Sequence, residues 1–153
     1  MRKNIGLVVL CIVLTTFGSA QAKDFLIKKQ SPYSVKETID RFEKNVIAKG
    51  MTVFARVDHA KGAKKVGKNL LPTELLIFGN PKIGTQFMLS EIESAIDLPM
   101  KVLAWRDVDN KVWLGYSDPK IMKTRHNIDS LDDLIKKIRK NLENFSSSAV
   151  SKN

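Results

Sequence analysis

Residues 71–82 read LPTELLIFGNPK, and the reading of this stretch decides the fold. Leu75, Leu76, Ile77 and Phe78 form an apolar run with no polar alternation. A half-exposed strand alternates, so this run predicts a central strand over 74–78, covered on both faces or wedged against a partner. Gly79-Asn80-Pro81 then stops it. Asn80 is placed to cap a helix and Pro81 to occupy its first turn, where a missing amide costs nothing, so a helix is expected over 81–90. Gly84 weakens that helix.

Other elements follow on either side. Upstream, Met51 to Val57 is rich in β-formers and predicts a neighbouring strand, ending at Asp58-His59. Before it, Ser34-Val35-Lys36-Glu37 is a capping-box pattern. Val35, Ile39, Phe42 and Val46 then recur at helical spacing, and Gly50 stops the helix. A first strand is expected around Phe25 to Lys28, and one or two helical turns over 60–67. Downstream, Asp97-Leu98-Pro99 introduces a strand over 101–106. Val108-Asp109-Asn110 turns it back into 112–116 as a hairpin, with Trp105 and Trp113 paired across it. Asp118-Pro119 starts a short helix. Ser130-Leu131-Asp132-Asp133 reads as a second capping box ahead of a helix that buries Leu131, Leu134, Ile135, Ile138 and Leu142. From Ser146 the chain reads as a flexible tail. Two long helices framing a sheet with a hairpin make an α+β fold, an antiparallel or mixed sheet with helices on one face.

The chain has 153 residues, 26 Lys plus Arg against 16 Asp plus Glu, two His and one Cys, and a net charge of +10. An apolar share of 43% argues against disorder and against a multi-span membrane protein. Residues 1–22 are not part of the fold. Arg2 and Lys3 precede an apolar run from Ile5 to Phe17, and Ala20-Gln21-Ala22 is a small-residue exit. That is the pattern of a secretory signal peptide cleaved between Ala22 and Lys23, and the run is too short to span a bilayer. The expected organisation is a signal peptide over 1–22, one α+β domain over 23–145 and a tail over 146–153. The expected location is periplasmic or secreted, with no membrane span after cleavage. Cleavage also removes Cys11, the only thiol, which suits an oxidising compartment and excludes thiol catalysis, Fe–S clusters and Cys-bound zinc. Export, and the lack of a basic stripe interleaved with aromatics, count against nucleic acid as a partner.

Asp58-His59, the 71–82 stretch with Gly84-Thr85, Asp97-Leu98-Pro99-Met100-Lys101 and Arg125-His126 resemble the domain of unknown function numbered 302 over about residues 30–142. The FGNPKIGT and DLPMKVLAW segments are specific together. The resemblance implies a curved antiparallel sheet gripped by helices, similar to the TATA-binding-protein arrangement, often as a homodimer, and it implies no established activity. Asp58, His59, Asn80, Lys82, Asp97, Arg125 and His126 carry over as motif positions only. The export signal departs from the commoner, cytoplasmic-looking form of the family.

From the residues themselves, Asp58, His59, Asn80, Lys82, Gly84 and His126 are candidate ligand-binding positions, and the resemblance adds Arg125 to them. Asn80, Lys82 and Gly84 are expected to offer a small anionic ligand the amides of residues 82–84 and a nearby ammonium. The basic stretch 61–68 would raise the local concentration of anions. No metal and no cofactor are expected. The reading is a non-enzymatic ligand-binding or stress-related homodimeric module. The alternative is a small enzyme or metal-dependent protein in which His59 meets His126.

Overall fold

A computed structural model describes residues 26–152. The expected signal peptide and its cleavage point lie outside the described residues. In chain order the elements are β1 (Leu26–Ser31), α1 (Val35–Ala48), β2 (Thr52–Asp58), α2 (His59–Lys65), β3 (Thr73–Gly79) and α3 (Pro81–Ser90). A 3₁₀ segment (Ile92–Asp97) follows, then β4 (Met100–Arg106), β5 (Val112–Ser117), α4 (Lys120–His126) and α5 (Asp132–Val150). The five strands form one antiparallel sheet in the order β1-β5-β4-β3-β2.

The run that decided the reading occupies an interior strand, and the pleat divides it. Leu76 and Phe78 are fully buried against Ile39 and Phe42 of α1, with Val102, Ala104, Leu114 and Tyr116 on the same face. Phe42 meets Phe78 edge-on with ring centroids 5.3 Å apart, and meets Phe145 of α5 at 6.3 Å. Leu75 and Ile77 point to the opposite face and are only half-buried. Helices therefore cover one face of β3, and the expectation of two covered faces is met on one side.

Of the expected capping box at α1 the Ser34 half forms, the Ser34 hydroxyl accepting the Glu37 amide at 3.2 Å. The second capping box does not form. Leu131 holds the cap position of α5 without a side-chain bond. Ser130 instead meets the Ser90 hydroxyl at 3.3 Å, and Asp132 is drawn to Lys123 at 2.8 Å. The expected tail also proves to be helix: α5 runs through Val150, with Phe145, Ser146 and Ala149 buried. Tertiary contacts override the weak propensity of a serine run. Small side chains let α1 approach closely, and α1 and its leading loop satisfy carbonyls at the helix end. Arg41 donates to the Ala149 carbonyl at 2.8 Å and to that of Ser151 at 3.0 Å, and the Tyr33 hydroxyl donates to Ser151 at 2.8 Å.

The hairpin registers Trp105 directly opposite Trp113, as expected. The Trp105 ring lies across Gly115, and a Cβ added there would stand 2.9 Å from it. The absence of a side chain at residue 115 is what lets this ring lie flat.

Candidate functional site

β3 ends at Gly79 and β4 begins at Met100, paired beside Phe78, so the chain between them folds over this end of the sheet. α3, the 3₁₀ segment, α4 and the middle of α5 border an open cavity of about 500 Å³ there. Its walls are apolar: Ile83, Phe87 and Met88 from α3, Leu98 and Pro99, Ile121 and Met122 from α4, and Ile138 and Leu142 from α5. Asn80, Thr85, Asp97, Lys101, Tyr116 and Ser117 are polar residues on its lining. Gly84 also lines it, and a Cβ there would lie 3.7 Å from Leu98, an ordinary contact distance.

Asp97 organises one edge of the cavity. One carboxylate oxygen accepts from Arg125 at 2.8 Å, and the other meets His126 Nε2 at 2.7 Å. The His126 side chain is only 6% exposed, which keeps this bond out of water. Arg125 and His126 close α4, and Asn127 follows at φ 54°, a left-handed helix cap that asparagine tolerates. The same carboxylate thereby ties the end of α4 to the segment leading into β4. Lys101 stands beside it, its ammonium donating to the carbonyls of Pro99 at 3.0 Å and Asp97 at 3.4 Å. Tyr116 turns its hydroxyl to Glu143 at 3.5 Å, and burial first of all, with Glu143 nearby, pushes this phenol above its ordinary pKa.

The expected anion cradle at the start of α3 is corrected by its own cap. The Asn80 side chain accepts the Lys82 amide at 2.9 Å, and the Asn80 carbonyl accepts those of Ile83 and Gly84, each at 2.9 Å. All three amides are taken, and Pro81 has none. Asn80 and Gly84 therefore serve the cavity wall, while Lys82 is exposed and does not line it.

Asp58 and His59 are elsewhere. Asp58 caps α2 by accepting the Lys61 amide at 2.8 Å, and it borders a separate, open cleft with Lys36, Lys61, Lys64, Lys68 and Glu74. Asp58 pairs with Glu74 at the start of β3, whereas Asp97 and His126 lie past its other end, beside the pair Phe78–Met100. Those two levels of β3 are about 13 Å apart at the usual strand rise. The meeting of His59 with His126 is thus not formed. Among the described residues no group of three or more His, Cys, Asp or Glu is arranged to hold a metal ion.

The structure brings Asn80, Gly84, Arg125 and His126 to one end of the sheet and joins Asp97 and Lys101 to them. Sequence reasoning missed the apolar wall, because Phe87, Met122, Ile138 and Leu142 carry the signal of ordinary core residues. The two motif segments FGNPKIGT and DLPMK were the usable signal, since both line this one cavity.

Residues 27–147 match the family described as "Domain of unknown function DUF302". Over 109 residues, 71% of the chain, the sequence is 45% identical to part of the "Fluoride-specific ion channel FluC 1" of Brucella suis biovar 1 (strain 1330), covering 43% of that protein. The protein of the same name from Brucella abortus biovar 1 (strain 9-941) is likewise 45% identical over 109 residues, which make up 40% of its length. The chain thus spans less than half the length of these relatives. Among the described residues no helix is long and apolar enough to cross a membrane. The crystal structure of an uncharacterized conserved protein DUF302 from Bacillus stearothermophilus has the same fold. Its TM-score is 0.75 at 18% identity, covering 82% of this chain and 98% of that one.

Proposed function

The chain belongs to the DUF302 family, and from its cavity we propose that it is a non-enzymatic binding domain for a small amphipathic acid, an apolar body carrying one anionic group. The observation that carries this reading is the apolar cavity of about 500 Å³ walled by both motif segments, with Lys101 and the Asp97–Arg125 pair at its polar edge. That volume falls within the range of small-molecule sites, and a few polar groups on an apolar wall are what orient such a ligand. Ile83, Met88, Leu98 and Ile121, which are partly exposed, take the body over a floor of the core residues Phe87, Met122 and Leu142. The Lys101 ammonium has three protons and spends two on carbonyls, so one donor remains for an anion. Asp97 does not repel that anion strongly, because Arg125 compensates its charge. The channel activity named for the Brucella relatives is not part of the proposal. The leader pattern adds that the domain works outside the cytoplasm after cleavage at Ala22-Lys23, and the open sheet face adds that it works as a homodimer.

Amide NMR titrations with octanoate and with octanol test the reading. Octanoate is expected to give saturable shifts at Ile83, Phe87 and Met122, and to bind about tenfold more tightly than octanol through its charge-assisted hydrogen bond. Lys101→Met should erase that preference while leaving the octanol affinity in place. Equal affinity for the two compounds would overturn the acid assignment. The absence of saturable shifts with either would overturn the cavity as a binding site.

A further inference from the structure

The sheet has two apolar faces and helices for one of them. Opposite α1 and α5, one level across the sheet reads Val57, Leu75, Leu103, Gly115 and Lys28. Ala55, Ile77 and Lys101 flank it on one side, and Thr73, Trp105, Trp113 and Gln30 on the other. Leu75, Ile77, Leu103, Trp105 and Trp113 are half-buried, and none of them belongs to the core cluster. Val57 is 37% exposed. An apolar surface of this kind, contiguous across β2, β3, β4 and β5 and bordered by Lys28 and Gln30 of β1, marks an interaction site.

We infer that this face docks a second copy of the chain, sheet against sheet. The inference rests on the homodimer proposed above and assigns its interface. Three observations select this occupant. On this face the strands carry no acidic residue, the Asp107 carboxylate at its end accepts from the Trp113 indole at 2.7 Å, Lys28 lies on the outermost strand, and the Lys101 ammonium donates to the carbonyls of Asp97 and Pro99. The centre is thus left without charge, which favours an equally apolar partner. Next, the surface is flat where flatness is needed, because the Trp105 ring lies over Gly115. β4 is the middle strand of five, so a two-fold axis along it sets the Leu75 side of one copy on the Trp105–Gly115 side of the other. Finally, the area suffices. Five strands about 4.8 Å apart, with six or seven residues at about 3.3 Å each, give a footprint on the order of 500 Å² per copy before side-chain relief is counted. Two such faces remove about 1,000 Å², the size at which a specific interface begins. Aligned sheets about 10 Å apart are a standard packing.

Sedimentation velocity over a concentration series, with Leu103→Lys and Val57→Lys beside the wild type, tests the assignment. Circular dichroism and urea midpoints establish that both variants are folded. The expected result is a wild-type dimer that strengthens as salt rises, since the two copies are both strongly basic and salt screens their repulsion. Leu103→Lys should sediment at half the mass, and Val57→Lys should weaken association at least tenfold. A wild-type dimer that both variants retain would overturn this interface and leave the homodimer standing. A wild-type monomer at about 100 µM in high salt would overturn both. A monomer that co-sediments with phosphatidylglycerol vesicles, and loses them with Leu103→Lys, would assign the face to a lipid surface instead.

Discussion

Replacing Arg56 by Met should destabilise the domain by about 2–3 kcal/mol, because one guanidinium holds together carboxylates from two elements. Arg56 lies on β2 with its side chain 26% exposed. Nη1 donates to Asp40 at 2.6 Å and to Glu43 at 3.0 Å, both on α1, and Nε donates to Glu74 on β3. The bond to Glu74 above all raises the Arg56 pKa. Burial opposes that rise, and the bond to Asp40 supports it. Methionine keeps the stem and the packing but strands Glu74, which is 14% exposed, beside two further carboxylates. Breaking a fully buried pair costs about 3–5 kcal/mol, and partial exposure lowers that to the figure given. With a urea slope of about 1.5–2 kcal/mol per molar, the unfolding midpoint should fall by about 1–2 M at pH 7. Arg56→Met combined with Glu74→Gln should recover part of the loss, since the stranded charge is gone.

The same network should be sensitive to acid. Burial acts to raise the Asp40 pKa, but the hydrogen bonds from Lys36 and Arg56 outweigh it and hold the carboxyl below its ordinary value. A depressed native pKa contributes stability above the unfolded value, about 3.9, and loses it as pH falls through the native one. The gap between wild type and Arg56→Met should therefore be widest near neutrality and close below about pH 4. A midpoint for Arg56→Met within about 0.3 M of wild type at pH 7 would refute the reasoning.

Gly115→Ala should cost about 1–3 kcal/mol in thermal or urea unfolding and shift tryptophan fluorescence, because the new methyl displaces the Trp105 ring. Asn80→Ala should cost about 1 kcal/mol through the lost cap, with phosphate titrations showing no saturable shifts at residues 82–84 in the wild type, since Asn80 already occupies those amides. The Glu143 carboxyl, lowered first by its hydrogen bond from Lys29 against the effect of burial, should titrate below the ordinary range by carbon NMR and return toward it in Lys29→Met. Its stabilising contribution is present above the unfolded carboxylate pKa and disappears as pH falls through the native value. Intact mass of the exported protein should begin at Lys23, and a membrane-held form retaining Arg2 to Phe17 would contradict the leader reading.

Local chemistry determined what the sequence alone could decide. The stripe Val35, Ile39, Phe42 and Val46 specified a helix and its buried side, Asn80-Pro81 specified where α3 starts, and the Trp105–Trp113 pair followed from the length of a turn. Each depends on residues within a few positions of one another. α5 beyond Ser146 was not legible, because its helix is held by Arg41 and Tyr33, more than a hundred residues away. The site divides in the same way. The segments containing Asn80 and Asp97 were visible as motifs, but only the sheet order places them around one cavity, joins His126 to Asp97 and leaves His59 at the other end of β3. An interior apolar run such as Leu75 to Phe78 predicts cover on two faces, and the helices supply it on one. What covers each face is a property of the assembled sheet, since the pleat sends alternate side chains to opposite sides and only long-range packing supplies the neighbours.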